Sequence, residues 1–349
     1  MINSGSVLIE VTRGCLTEST HRGAIVVVDA EGTVLASTGA IDTRAYFRSA
    51  AKPFQAIPLL TSGAVSRFGL TARELAVIIG SHGGEAIHRE TVSAILRKVG
   101  LTEDLLQCGT HTPFDSLAAK ELRAAGRKPG LLHNNCSGKH AGMLAQAVHR
   151  GLSTADYLDP NHPIQREILE VIADFSGESA AEIAIGVDGC SAPVFGLSLL
   201  GMARGYARLV NPLAKSLNGD AQRRRAGERV VAAMLEFPEM IAGTRGRLDT
   251  DLMRQSQGRL ISKVGAEGVQ LLGILPCSQF PAGAGIAIKI EDGDIRRARD
   301  PVVIETLRQL GILEEPQLDA LRGYACGVIL NPRQIEVGEI RASFKLSLR

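Results

Sequence analysis

Runs of β-branched residues at both ends of the chain, with helical periodicity between them, constrain the fold more than any other feature. Residues 23–39 (GAIVVVDAEGTVLASTG) place two such runs around Asp29-Ala30-Glu31-Gly32, which reads as a hairpin. Residues 285–298 (GIAIKIEDGDIRRA) repeat the device around Asp292-Gly293, a strong short hairpin signal. Between them Thr71 and Glu74 are spaced as a capping box ahead of the apolar run Leu75–Ile79. Further helices are expected over Glu85–Lys98, Ser116–Ala125, Ser137–Arg150, Pro163–Phe175, Pro193–Leu209 and Gln222–Leu235, with weaker ones after Pro301 and over Gln317–Arg322. The polar, basic stretch Asn211–Arg225 reads as a solvated loop entering a helix. Strands at both ends with helices inside predict an α/β (α+β) fold: an antiparallel sheet completed by N- and C-terminal strands and packed by helices. The 349 residues are long enough for one large domain or two ordinary ones.

The charge balance excludes several functions. Lys+Arg 39 against Asp+Glu 37 leaves a formal charge of +2, too small for steering toward nucleic acid or an anionic membrane. Aromatics make up 4% of the chain and Trp is absent, which argues against stacking platforms for bases or sugars. No stretch reaches the roughly 18 apolar residues of a membrane span, and the opening residues do not look like a secretory leader. The six cysteines, Cys15, Cys108, Cys136, Cys190, Cys277 and Cys326, are too scattered for a disulfide framework. The expectation is a soluble, cytoplasmic chain with most thiols reduced.

Ser49-Ala50-Ala51-Lys52 is a Ser-x-x-Lys. On a helix this spacing puts hydroxyl and amine on one face, as a lysine base needs to deprotonate a serine nucleophile. Pro53 follows, so the pair belongs at a helix start, where unspent N–H groups favour developing negative charge. Such a motif occurs about once by chance in a chain this long. Residues 78–84 (IIGSHGG) add a second serine, Ser81, in a glycine-rich turn, and Ser262-Lys263-Val264-Gly265 adds Lys-x-Gly in a strand-like context. Serine acyl enzymes of the β-lactamase and penicillin-binding type use this order. Lys98 and Lys128 also match Lys-x-Gly, but Lys98 ends a helix and Lys128 sits in a loop, so Lys263 is preferred.

A second constellation is residues 134–140 (NNCSGKH) with residues 186–191 (GVDGCS). Cys136 begins an expected helix, which lowers a thiol's pKa, and Cys190 lies in a turn after strand-like Ile183–Val187. Two thiolates with a nitrogen and a water would suit tetrahedral zinc. No Cys-x-x-Cys or His-x-x-x-His is present, so spacing leaves two other readings open: a pair of buried small residues, or a cysteine nucleophile near His140.

Taken together, Arg48–Pro53, Gly80–Glu85, His133–Met143, Gly186–Pro193, Ala242–Thr244 and Ser262–Gly268 resemble, in order, the rhizobial-type (class 3, thermolabile) L-asparaginases of the asparaginase II family. The resemblance implies a serine β-lactamase-like and penicillin-binding-protein-like fold in a single domain over 1–349, with a helical region inserted between the terminal strands. It implies Ser49 as nucleophile with Lys52 as base, Ser81 with Lys263 as a second pair, and zinc held by Cys136, Lys139 and Cys190 to aid substrate binding. Arg48, Asp188 and His140 border these positions and are candidates for holding the charged groups of the amino acid. The implied reaction is hydrolysis of L-asparagine to L-aspartate and ammonia by a homodimer, with no nucleic-acid or membrane partner. The alternative is a glutaminase or another Ser–Lys acyl enzyme of the β-lactamase fold.

Overall fold

The computed structural model describes residues 5–211 and 221–348. The chain divides into two compact units, one of Met1–Ala50, Leu197–Ala214 and Leu252–Arg349, the other of Ala51–Gly196 and Lys215–Asp251.

The first unit is built on a nine-stranded antiparallel sheet. The long strand Leu16–Val28 is its axis, because its 13 residues give room for different partners along its length. Its first part pairs with Ser6–Arg13, and its apolar second part lies between Val34–Thr38 and Ala284–Ile290. Ser6–Arg13 pairs in turn with Glu336–Ala342, setting Glu10 opposite Arg341. N- and C-terminal strands therefore share one sheet, as the terminal β-branched runs predict. The hairpin at Asp29–Gly32 forms, with Val28 opposite Val34.

Two expectations are corrected. Asp292-Gly293 turns the chain out of the strand Ala284–Ile290 into a helical segment, because Asp294 caps it by accepting from Arg297 N–H at 2.8 Å. Pro193–Leu209 is not one helix: Pro193–Ser198 is a buried strand, and the helix is Leu199–Val210, capped by Ser198. A short apolar run buried on all sides carries no period that separates strand from helix. The expected loop Asn211–Arg225 lies mostly outside the described residues, and the chain is helical over Ala221–Glu236.

The helix Leu199–Val210 packs on the strands Ala284–Ile290 and Val269–Ile274. A Cβ at Gly285 would stand 1.8 Å from the Ala203 carbonyl oxygen, so only glycine admits the helix at this distance. The strands Leu260–Val264 and Val269–Ile274 form a hairpin through Glu267 (φ 58°) and Gly268 (φ 69°), the two positive-φ positions of a type I′ turn.

The second unit is mainly helical, with one strand pair setting Ala184–Val187 against residues 193–196. Its centre is the helix Ala72–Ile79, whose residues 74–79 are all buried and whose Thr71/Glu74 capping box forms as the spacing predicts. The helices Ala86–Val99, Ser137–His149 and Ala221–Glu236 pack around it. Among the described residues no helix is long and apolar enough to cross a membrane.

Candidate active site

In the first unit, Arg48 takes φ 52° and turns the chain into the single 3-10 turn Arg48–Ala51 that carries Ser49. Left-handed backbone is costly for a residue with a Cβ, a local strain of the kind found at sites that aim a side chain. The turn runs directly into the helix Lys52–Gln55, with Pro53 in its first turn as the sequence predicts. Lys263 lies on the strand Leu260–Val264, opposite Leu271, with its amine fully buried and donating to Val264 O at 3.1 Å.

In the second unit, the helix Ala72–Ile79 ends at Gly80 and delivers Ser81 and His82 into the interior, 2% and 0% exposed. The loop is held by its backbone: Ser81 N–H donates to Ile241 O at 2.7 Å, and Arg247 Nη2 donates to Ser81 O at 3.0 Å. Glu85 and Asp115 secure it further. Glu85 accepts from Thr244 N–H at 2.9 Å and from the Thr244 hydroxyl at 2.5 Å, and Asp115 takes a two-pronged contact from Arg245 at 2.8 and 3.1 Å. Asp115 N–H also donates to Gly83 O at 3.0 Å.

Into this loop reaches the amine of Lys52, itself 1% exposed. Its Nζ lies 2.7 Å from Gly80 O, 3.0 Å from Ser81 Oγ and 3.4 Å from Asn135 O. Burial pushes the amine below its usual range, against the opposing pull of the Cys136 thiol. The charged form has three N–H groups for these three oxygens. The neutral form has two N–H groups for the two carbonyls and a lone pair that can accept the Ser81 hydroxyl proton. Lys52 can therefore gain or lose a proton without leaving a buried polar group unsatisfied.

Cys136, Lys139 and Cys190 meet beside it, each under 5% exposed. Cys136 precedes the helix Ser137–His149, and its N–H is fixed by Asn134 Oδ1 at 2.8 Å. Lys139 Nζ donates to Cys190 Sγ at 3.0 Å. The Cys190 thiol is pushed far down by a hydrogen bond from Cys136 and by the Lys139 ammonium, against burial, while the Cys136 thiol is pushed up by the same sulfur contact and by burial. Burial alone would lower Lys139, but the two sulfurs raise it. His140 is fully buried, which pushes its pKa down to about 4. Its Nδ1 lies 2.7 Å from the Tyr157 hydroxyl, and the ring also faces the Cys190 sulfur, which opposes the effect of burial. Asp188 lies two residues before Cys190, in a turn closed by Ser191 N–H to Asp188 O at 2.8 Å.

The second unit thus gathers Lys52, Ser81, Cys136, Lys139, His140 and Cys190, with Asp188 adjoining, while Ser49, Arg48 and Lys263 belong to the first. Among the described residues no group of three or more His, Cys, Asp and Glu side chains meets as a metal site. The expected zinc set relies on a lysine for its third donor. Its chemistry nevertheless fits a zinc ion: two sulfurs and an amine in mutual reach, with the buried His140 imidazole beside Cys190. Sequence reasoning missed Arg247, Tyr157 and the carbonyl of Asn135. A backbone acceptor leaves no mark on residue identity, and Tyr157 and Arg247 sit in turns without a period.

The family description L-asparaginase II matches residues 9–342. The chain belongs to the L-asparaginase II family. No curated protein matches it. Among solved structures it is similar to Mglu in its native form, at 14% identity and a TM-score of 0.47, covering 85% of this chain and 66% of that one. A probable glutaminase from Bacillus subtilis, complexed with 6-diazo-5-oxo-L-norleucine, is similar at 13% identity and a TM-score of 0.38, covering 83% of this chain and 84% of that one. The chain thus spans just under two thirds of Mglu.

Proposed function

We propose that the protein is an L-asparagine amidohydrolase that works through a Ser49 acyl-enzyme. The observation that carries this reading is the environment of Lys52, satisfied in both protonation states and with its pKa lowered by burial, the direction a proton-shuttling base requires. Lys52 takes the Ser49 proton as Oγ attacks the side-chain amide carbon. The C–N bond then breaks, the proton passes to the departing nitrogen, and ammonia leaves. Water hydrolyses the β-aspartyl ester, returning the proton to Ser49 and releasing L-aspartate. Ser81, 3.0 Å from Lys52, relays the proton, and Lys263 is assigned to the same relay from the family resemblance. Arg48, Asp188 and His140 are assigned to the charged groups of the substrate.

Cys136, Lys139 and Cys190 would hold the zinc ion, which when bound supplies a fixed positive charge for substrate binding. A dication favours the neutral amine that Lys139 needs in order to donate a lone pair. On this reading the residues of both units serve a single asparaginase-type domain over 1–349, acting as a cytoplasmic homodimer. Glutamine, one methylene longer, is the competing substrate; an apolar pocket discriminates one methylene by only about 1–3 kcal/mol, so a fixed distance between carboxylate clamp and nucleophile must add to it.

The test is ammonia release from asparagine and glutamine side by side, with metal content measured on the same preparation. Ser49→Ala should lose turnover while keeping the wild-type circular dichroism and urea midpoint. Retained turnover removes Ser49 as nucleophile, and faster turnover of glutamine replaces the substrate. A metal-free Cys136→Ser chain with unchanged KM ends the role given to zinc.

A further inference from the structure

We propose that a second concave site in the helical unit, bounded by Arg89, Arg127, His133 and Glu121, binds an acidic amino acid. Its volume is about 230 Å3 and its floor includes Gly84, the last glycine of the loop that carries Ser81. That is below the roughly 300–1,000 Å3 of sites for drug-sized molecules and suits a smaller ligand.

The side chains define the chemistry. Arg89 projects from the helix Ala86–Val99, and its Nε is buried with no hydrogen-bond partner among the described residues. Arg127 follows the helix Ser116–Ala124, and among the described residues neither guanidinium forms an ion pair. Both stand close enough to His133 to hold its pKa down, together with burial, which is the larger cause. Two guanidiniums face this concavity against one carboxylate, Glu121, so the lining keeps a net positive charge that a bound anion relieves. His133 is 8% exposed, and its Nδ1 accepts from Gly130 N–H at 3.0 Å, so its proton sits on Nε2. That N–H has no protein acceptor among the described residues and is available to an oxyanion.

Glu121 sets the other half of the ligand. A plain oxyanion has no use for a carboxylate on the rim, whereas an α-ammonium group does. Two guanidiniums and one carboxylate mirror the two carboxylates and one ammonium of an acidic amino acid. If the proposed function holds, L-aspartate is both the product and a member of this class; the class itself follows from the side chains alone.

The site is built to be felt at Ser81. Gly84 has φ +79°, a Cβ there would stand 3.1 Å from His133 O, and Gly84 N–H donates to His82 Nδ1 at 3.2 Å. A ligand seated on Gly84 and His133 braces the loop from behind.

The experiment is isothermal titration of the full chain with L-aspartate, succinate and inorganic phosphate, on the wild type, Arg89→Gln/Arg127→Gln and Glu121→Gln. The double variant should lose one aspartate site per chain, or bind there at least about tenfold more weakly, with ammonia release in the absence of aspartate within twofold of wild type. Glu121→Gln should abolish the preference for aspartate over succinate. A wild-type isotherm from the double variant overturns the proposal, as does an unchanged aspartate-to-succinate ratio in Glu121→Gln, or a pocket that takes phosphate but no aspartate. Stoichiometry reads the pocket and turnover reads the catalytic reading, so a chain that fills this site yet hydrolyses no asparagine refutes only the latter.

Discussion

Gly138→Ala separates two opposite expectations. Gly138 is the second residue of the helix Ser137–His149 and is absent from the positive-φ positions, so alanine is acceptable to the backbone. Helix propensity then predicts stabilisation by roughly 1 kcal/mol. The packing predicts the reverse. A Cβ on Gly138 would stand 2.2 Å from Val77 O and 2.8 Å from Val77 C, where ordinary contact begins at 3.4 Å, so it intrudes by about 1.2 Å on backbone that cannot swing aside. Overpacking of this kind costs about 1–3 kcal/mol, and the helices must separate to accommodate it. Separation reaches the site directly, because Lys52 bridges the two segments: Gly80 O and Ser81 Oγ follow the helix of Val77, while Asn135 O lies just ahead of the helix of Gly138. A misplacement of about 1 Å in a catalytic constellation costs on the order of 100-fold. The expected outcome is a net loss of up to about 2 kcal/mol in urea unfolding and a fall in kcat of about ten- to one-hundred-fold. A Gly138→Ala chain that is more stable than wild type, with unchanged kcat, refutes the argument that this close approach sets the site.

Two further predictions concern the turn chemistry and the buried histidines. Glu267→Asn supplies the residue that the type I′ turn prefers at an exposed, left-handed position and should raise unfolding stability by about 0.5–1 kcal/mol; a lower urea midpoint contradicts the turn assignment. His82 and His88 stack at 4.9 Å, and each Nδ1 accepts a backbone N–H, from Gly84 and Glu85 respectively, so both are held neutral and their pKa values lie below the ordinary value, chiefly through burial. Their contribution to stability is complete above the unfolded histidine pKa of about 6.5 and declines as pH falls below it, which a pH series of urea midpoints reads, with His88→Asn expected to flatten the slope.

The first hairpin and the ends of the helices were legible because they are local. Thr71 and Glu74 cap a helix through atoms three residues apart, and Asp29–Gly32 closes a hairpin within its own turn. Pro193–Ser198 was not legible, since burial on all sides erases the alternation that marks a strand. Asp292-Gly293 signalled a turn correctly, but the element on its far side is decided by Asp294, which caps a helical segment. The candidate site divides in the same way. Lys52, Ser81, Cys136 and Lys139 sit at helix starts and glycine-rich turns, where residue type and position carry meaning. The partners that set their chemistry are the carbonyls of Gly80 and Asn135, which belong to any residue whatever its side chain.

Those carbonyls also explain how a fold can keep a buried amine at its centre. An isolated buried ammonium is strongly unfavourable, and removing it would normally stabilise the protein. Around Lys52, however, Gly80 O and Asn135 O would lose their donor if the amine were replaced by an apolar chain, leaving two buried acceptors at a cost of roughly 1–3 kcal/mol each. The same oxygens tolerate either protonation state, so they hold the lysine in place without fixing its charge. Lys139 is the contrasting case: its neighbour is a sulfur driven toward the thiolate, and that pairing stabilises only the ammonium. Two buried lysines, both within reach of Cys136, are thereby set to opposite tasks by the groups that face them: carbonyls allow one to exchange its proton, and a thiolate holds the other charged until another cation takes its place.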